Sequence, residues 1–283
     1  MSISDLIRNM LFGGGNRNTA ETSEPSGDSE AESLLHVGWQ QRDEGIYPEL
    51  FGPAQGEPSL LSEDIFYKDF GHRKIHPFWL HHGILAFPPT ADRPTWVYAT
   101  SGMSNAFDSE IEDWSGLGVE FLMETYTQAD WAADKLARLM AFNLLIAIGH
   151  YENSEDIKPG SIVRLEVPVN GEENCQLRNL IVFGTEPNPT TGLAPQATVA
   201  DCTPPTQIST QSAHPDAHSS ARTPTSAPAT YKLVTGKFEM LQIVAVSDSE
   251  ADFAEKEGYG ALATKLRDAG HFPAVDPERA TVL

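Results

Sequence analysis

Basic residues are scarce in this sequence. Its 283 residues include 19 Lys and Arg against 40 Asp and Glu, which gives a formal net charge of −21. Proteins that bind nucleic acid use basic side chains to displace counterions from phosphates, and anionic membrane surfaces attract basic segments in a similar way. The charge therefore argues against nucleic acid and against a stable membrane association. It fits a basic protein partner or simple solubility better.

Cysteines and long apolar runs are scarce as well. The two cysteines, Cys175 and Cys202, cannot build a disulfide framework, which favours a reducing compartment. The N-terminus lacks the features of a signal peptide. The most apolar stretch, residues 136–148, is too short and too polar to span a bilayer. We therefore expect a cytoplasmic protein.

Catalytic motifs are missing from the chain. Gly116-Leu-Gly118 lacks the third glycine of a dinucleotide-binding loop and leads into a strand pattern. The sequence contains neither a nucleophile elbow nor a Cys-x-x-Cys pair. We predict a protein without enzymatic activity and without a cofactor.

A cluster of histidines is the strongest argument for a different chemistry. The cluster consists of His72, His76, His81 and His82. The first two have a helical metal-ligand spacing, but Gly71 and Pro77 flank them and no Glu follows the first. We predict that the cluster binds no metal. A hydrolase using His81, His82 and nearby carboxylates is the least favoured alternative.

Composition divides the chain into four parts. Residues 1–12 carry one apolar face of a short amphipathic helix, and residues 13–33 have the composition of a flexible linker. Residues 34–272 form the predicted domain, interrupted at 185–230 by a Pro/Thr/Ser/Ala-rich insertion that we expect to be disordered. Residues 273–283 are left as a C-terminal tail.

The domain shows strand and helix patterns in an α+β order. The strongest helix begins at Asp130 and stops at Gly149, and a terminal helix over 259–269 follows an acidic turn. Strands are indicated by β-branched and aromatic bias or by alternation at 96–100, 119–126, 162–167, 177–183 and 237–246.

Three acidic clusters stand out in the domain. The first two supply our candidate partner-binding residues, which are Glu110, Glu112, Asp113, Glu152, Glu155 and Asp156. The third consists of Asp248, Glu250, Asp252, Glu255 and Glu257. Solvated loops and helix starts account for most such carboxylates. The alternative is an anionic face that captures a basic partner quickly.

Six motifs in order resemble the suppressor of fused (SUFU) domain family. They are the aromatic strand and Gly-aliphatic-Ser turn of 96–104, the Ser-Gly-x-Gly-x-Glu strand of 115–122, the helix led by Trp131, the Pro159-Gly160 turn, the Leu-Gln-Ile-Val strand of 238–246 and the glycine pair of Gly258-Tyr-Gly260. The resemblance covers about residues 36–184 and 231–272 and departs from the family at 53–95, at Gly160-Ser-Ile162 and in the long insertion. It implies a mixed, largely antiparallel sheet packed with α-helices.

The resemblance also implies a binding function. Animal members hold transcription factors by clasping a peptide strand between two domains, and this chain matches one of the two. Bacterial single-domain members are associated with polymorphic-toxin loci, where they resemble immunity proteins. We therefore expect an immunity protein that neutralises a cognate toxin, and the charge suits a basic one. The alternative is a scaffold or regulator that recruits partners through residues 1–12 and the insertion.

Overall fold

The computed structural model describes residues 34, 36–73, 75–106, 111–151, 156–184 and 229–283. The predicted helix 1–12, the linker 13–33 and the insertion up to residue 228 lie outside them. The described strands are β1 (Ser59–Leu60), β2 (Gly83–Phe87), β3 (Trp96–Ser101), β4 (Trp114–Thr125), β5 (Ile162–Arg164), β6 (Leu177–Gly184), β7 (Thr230–Leu233), β8 (Gly236–Ser247) and β9 (Ala274–Val275). The helices are α1 (residues 36–40, the π-helical segment Gln41–Ile46 and Tyr47–Phe51), α2 (Glu63–Phe70), α3 (Asp130–Ala147), α4 (Asp248–Glu257) and α5 (Tyr259–Asp268).

These strands form one mixed sheet. Its order is β1-β2-β3-β4-β8-β6-β5, with β7 also paired to β8 and β9 to β4. β4 runs parallel to β8 and to β9, and the other neighbouring pairs are antiparallel. The parallel pairing in the centre requires a long connection, and α3 lies within it. The predicted α+β fold with a largely antiparallel sheet is confirmed.

The sheet is covered on both faces. Successive side chains of a strand point to opposite faces, so Tyr98 and Phe121 join the core under α3, α4 and α5. Their neighbours Val97 and Leu122 join a smaller core with Tyr47 of α1 on the other face. The sheet therefore separates α1 from the other long helices.

The helix α3 matches its prediction. It begins at Asp130, and Gly149 follows its end with a φ of +73°. Buried residues occupy most of its circumference, because the sheet covers one side and α2 the other. Phe142 of α3 stacks on Phe70 of α2 with ring centroids 6.0 Å apart.

The strands β6 and β7 lie on one track beside β8. Gly184 pairs with Leu241 and Thr230 pairs with Glu239, both in antiparallel register. Residues of neighbouring strands pair one to one, so a single position, the one opposite Met240, lies between the end of β6 and the start of β7. Residues 185–229 are therefore inserted into a single strand track.

The structure corrects two predictions for the C-terminal part of the chain. The segment 248–257, predicted as an acidic turn, is helix α4. Two reciprocal hydrogen bonds cap its N-terminus, because the hydroxyl of Ser247 accepts the N–H of Glu250 and the carboxylate of Glu250 accepts the N–H of Ser247. Residues 273–283, predicted as a tail outside the domain, pack into it through β9 and the buried side chain of Arg279. None of the described helices is long and apolar enough to cross a membrane.

Candidate functional site

A buried ion pair lies where α1 meets the sheet. The side chains of Arg42 and Glu120 are both 0% exposed, and Arg42 Nη1 lies 3.2 Å from Glu120 Oε1. Arg42 Nε also donates to Asp43 Oδ1 at 2.8 Å. Burial lowers the pKa of the Arg42 guanidinium, but the two carboxylates outweigh it and leave this pKa raised. The arginine is therefore charged, as a buried cation with paired anions should be.

The turn at residues 101–105 supplies the remaining partners of this pair. Glu120 Oε1 accepts the N–H of Gly102 at 3.0 Å and both the N–H and the hydroxyl of Ser104, at 2.9 and 2.7 Å. Its Oε2 accepts the hydroxyl of Thr100 at 2.6 Å. Arg42 donates to three side chains of the same turn, those of Ser101, Ser104 and Asn105. We call this set, with Glu120 and Arg42, the buried polar cluster.

Gly116 lets β4 pass close to this turn. Its φ is +59°, and a Cβ at this position would lie 2.2 Å from the carbonyl oxygen of Asn105. On either side of it, the Ser115 hydroxyl donates to the carbonyl oxygen of Ser104 at 2.7 Å and the Leu117 N–H donates to that of Met103 at 2.7 Å. The Gly-aliphatic-Ser turn and the Ser-Gly-x-Gly-x-Glu strand are thus in direct contact and are held together by these hydrogen bonds.

The buried polar cluster has a structural role. Arg42, Ser104 and Glu120 are each 0% exposed, so a dissolved substrate does not reach them. The cluster ties α1 and the turn to β4. Sequence reasoning missed Arg42, since nothing in the local pattern of 40–46 distinguishes it from a surface arginine.

The histidine cluster is dispersed by the fold. His82 is fully buried beneath the turn, where a Cβ on Gly102 would lie 2.3 Å from its ring, whereas His81 is exposed. Burial lowers the pKa of His82 to about 3, and the charges of Arg42 and His81 act in the same direction. His72 instead contacts His150, with the two Nδ1 atoms 3.1 Å apart. Within the described part of the chain, no three His, Cys, Asp or Glu side chains come together as a metal site would require.

Three of the candidate partner-binding residues are described, and all three are exposed. Glu112 and Asp113 precede β4, and the Asp113 carboxylate pairs with Lys237 at 2.8 Å. Asp156 follows α3, next to Ile157, whose N–H donates to Asn143 of that helix. The other three, Glu110, Glu152 and Glu155, lie outside the described residues. Partner binding by these six residues stays a prediction.

The third acidic cluster does not form a continuous anionic surface. Glu250 is 0% exposed and receives Arg279 on both oxygens, at 2.6 and 2.7 Å. The N–H of Val282 also donates to it at 2.9 Å. Burial alone would raise the pKa of Glu250, but Arg279 and the backbone donors lower it overall. On the surface of the same helix, Asp252 and Glu255 hold Arg164 of β5.

The fold and the buried polar cluster define an α+β domain built on one mixed sheet, in which the Ser-Gly-x-Gly-x-Glu strand holds the Gly-aliphatic-Ser turn in the core. The chain belongs to the suppressor of fused protein (SUFU) family, whose model matches residues 79–280. This match confirms the resemblance found in the motifs. None of the curated proteins compared with the chain matches it.

Three solved structures are similar to the chain at low identity. Drosophila Suppressor of Fused has 15% identity and a TM-score of 0.46, over 71% of this chain and 42% of that one. A Sufu–Fu complex has 14% identity and a TM-score of 0.48, over 92% and 93%. A SUFU homologue from Neisseria gonorrhoeae has 15% identity and a TM-score of 0.48, over 89% and 98%. The chain thus spans less than half the length of the Drosophila chain.

Proposed function

We propose that the chain is a non-enzymatic, cytoplasmic protein-binding domain that acts as a bacterial immunity protein. It would bind a cognate toxin, one to one, and cover the surface that the toxin needs for its activity. Membership of the SUFU family supports a binding role, and the scarcity of basic residues supports a basic partner.

The observation that carries this proposal is that the predicted contact residues in the described part of the chain are exposed, whereas the ion pairs that hold α1 and the C-terminal segment are buried. The buried polar cluster and the Glu250–Arg279 pair are closed off in the core, whereas Glu112, Asp113 and Asp156 are exposed. The predicted contact residues that the structure describes are therefore accessible to a partner. Exposed charges at the rim of an interface speed association and select partners of the opposite sign.

The first test is co-expression with a toxin whose gene neighbours that of this protein. An immunity protein restores growth, and failure to rescue the cells contradicts the proposal. A pull-down of the toxin at low and high salt then tests the acidic interface. At about 0.1 M salt, the attraction between exposed charges is largely screened beyond about 10 Å, and this distance becomes shorter as the salt concentration rises. Capture that does not change with salt would contradict the electrostatic part.

Charge-neutral variants locate the interface. Glu112→Gln with Asp113→Asn should weaken capture, and so should Asp156→Asn alone. Glu172→Gln with Glu173→Gln is the matched control, because this pair is also exposed and acidic but lies in the loop before β6. Equal loss in both pairs would mean that the net charge matters and the predicted residues do not.

The scaffold alternative is supported by the strand track of β6 and β7. The two strands on either side of residues 185–229 pair with neighbouring positions of β8, so the sheet does not need the inserted residues to span a distance. A segment that the fold does not need is free to serve in recruiting another component. Deleting 1–33 or replacing 185–229 separates the two functions. An immunity domain should still rescue the cells, whereas a scaffold should lose its partners.

A further inference from the structure

A groove of about 570 Å³ runs between α2, the N-terminal half of α3 and the edge of the sheet at β1 and β2. Its floor is apolar and includes Ile65, Ile84, Ala86, Ala133 and Ala137. The lining of the groove comes from several separate segments, at residues 57–69, 84–86, 98 and 128–138.

Carboxylates dominate the rim of the groove. Five acidic residues line it against two basic ones, and the acidic ones are Glu57, Asp64, Asp69, Asp130 and Asp134. On α3, Asp130 and Asp134 are four residues apart and therefore lie on one face of the helix, beside Ala133 and Ala137. Two helical faces thus place carboxylates above an apolar floor.

The two basic residues of the rim are already paired. Lys68 contacts Asp64 at 2.7 Å, and both side chains are largely exposed. Arg138 contacts Asp134 at 3.0 Å and also bridges to Asp69 across the two helices. The guanidinium of Arg138 thus occupies one part of the groove between two carboxylates. The remaining part, which Asp130 and Glu57 also line, has an excess of negative charge.

Arginine and lysine side chains match this combination of surfaces. Each has an apolar stem that packs on aliphatic surface and a cationic head that stays at the polar rim. The Tyr98 hydroxyl accepts the N–H of Ala129 at 2.6 Å, which fixes the start of α3 and therefore the position of Asp130. The groove is accordingly shaped before any ligand arrives.

We infer that this groove binds a basic segment of the protein partner, with Arg or Lys stems over Ala86 and Ala133 and the cationic heads beside Glu57 and Asp130. The inference rests on the proposed function and adds to it a surface and the chemistry of its ligand. The expected ligand is a peptide that carries several Arg or Lys residues.

The test uses the full chain and a short fluorescein-labelled peptide of alternating arginine and alanine. Binding is followed by fluorescence anisotropy at low and high potassium chloride. We expect Glu57→Gln with Asp130→Asn to weaken binding about tenfold, and the control Glu172→Gln with Glu173→Gln, which removes the same charge elsewhere, to weaken it less than about twofold. Equal losses in the two double variants would overturn the inference, since they would indicate attraction by the net charge alone.

A second variant blocks the groove without changing its charge. Ala133→Phe places a ring over the floor and should abolish peptide binding, while thermal unfolding shows that the protein remains folded. Unchanged binding in this variant would overturn the inference. Binding that appears only after removal of residues 1–33 would also overturn it, because the chain's own N-terminal segment would then be the occupant.

The same variants separate this inference from the proposed function. If the wild type rescues cells from the toxin and both groove variants rescue equally well, the groove inference fails and the proposed function stands. If the peptide binds in the groove and the wild type gives no rescue, the proposed function fails and the groove inference stands.

Discussion

Mild acid should destabilise this protein through His82. The side chain is 0% exposed, lies against Phe78 with ring centroids 5.3 Å apart and touches the turn at Gly102. Burial, which is the main cause, and the nearby charges of Arg42 and His81 together lower its pKa from 6.5 to about 3. The folded protein therefore keeps His82 neutral at pH values where the unfolded chain protonates it.

The size of the effect follows from the two pKa values. The unfolded chain binds the extra proton, so the free energy of unfolding falls as the pH drops below 6.5 and stops falling near the folded value of about 3. Between about pH 7.5 and about pH 5 the loss amounts to about 2 kcal/mol. Glu250 contributes little in this window, because its lowered pKa matters only below the usual carboxylate range of about 4 to 4.5.

Urea unfolding at the two pH values measures this loss. His82→Leu removes the titrating group, so the difference between the two pH values should shrink by about 2 kcal/mol, whatever the variant does to stability itself. His36→Gln is the control and should leave the difference unchanged, because His36 is exposed and is not among the groups that act on His82. An equal pH dependence in wild type and His82→Leu would refute the reasoning.

Three further predictions concern stability. Gly116→Ala should lower the free energy of unfolding by about 3 kcal/mol or more, because the new Cβ would lie 2.2 Å from a backbone oxygen. The control Gly56→Ala has a similar φ but no atom near its Cβ, and it should lower the free energy of unfolding by about 1 kcal/mol. Equal losses in thermal unfolding would contradict this prediction. Glu250→Gln should cost about 3 kcal/mol or more, since its arginine partner would remain buried and charged, and the exposed control Glu255→Gln should cost less than about 1 kcal/mol in urea unfolding. Replacing residues 185–229 by one glycine should leave the melting temperature unchanged or raise it, because a single residue fills the position opposite Met240 between β6 and β7. A clear drop in the melting temperature would show that the inserted segment stabilises the sheet.

Much of the fold could be predicted from local patterns. The strands at 96–101 and 236–247 and the helix α3 have the periodicity or residue bias of their structures, and each is found within a few residues of its predicted bounds. The predicted strand 162–167 is shorter and ends at Arg164, although the N–H of Leu165 still donates to the carbonyl oxygen of Arg178. The acidic turn was wrong because the capping box of Ser247 and Glu250 begins a helix there.

The candidate surfaces were less predictable. Glu112 and Glu250 both belong to acidic stretches, yet the first is exposed and the second is buried against Arg279. The groove between α2 and α3 left no trace in the sequence, because its lining comes from segments that only the sheet and the two helices bring together.

The sequence by itself determined the positions of the main strands, the helix α3, the family and the excess of negative charge. These properties follow from short-range periodicity, composition and motifs, which do not depend on distant partners. The tertiary structure decided that Arg42 pairs with Glu120, that Arg279 pairs with Glu250, and which carboxylates remain at the surface. A charge is buried only where the fold supplies an opposite charge and hydrogen bonds, and those partners come from remote parts of the chain.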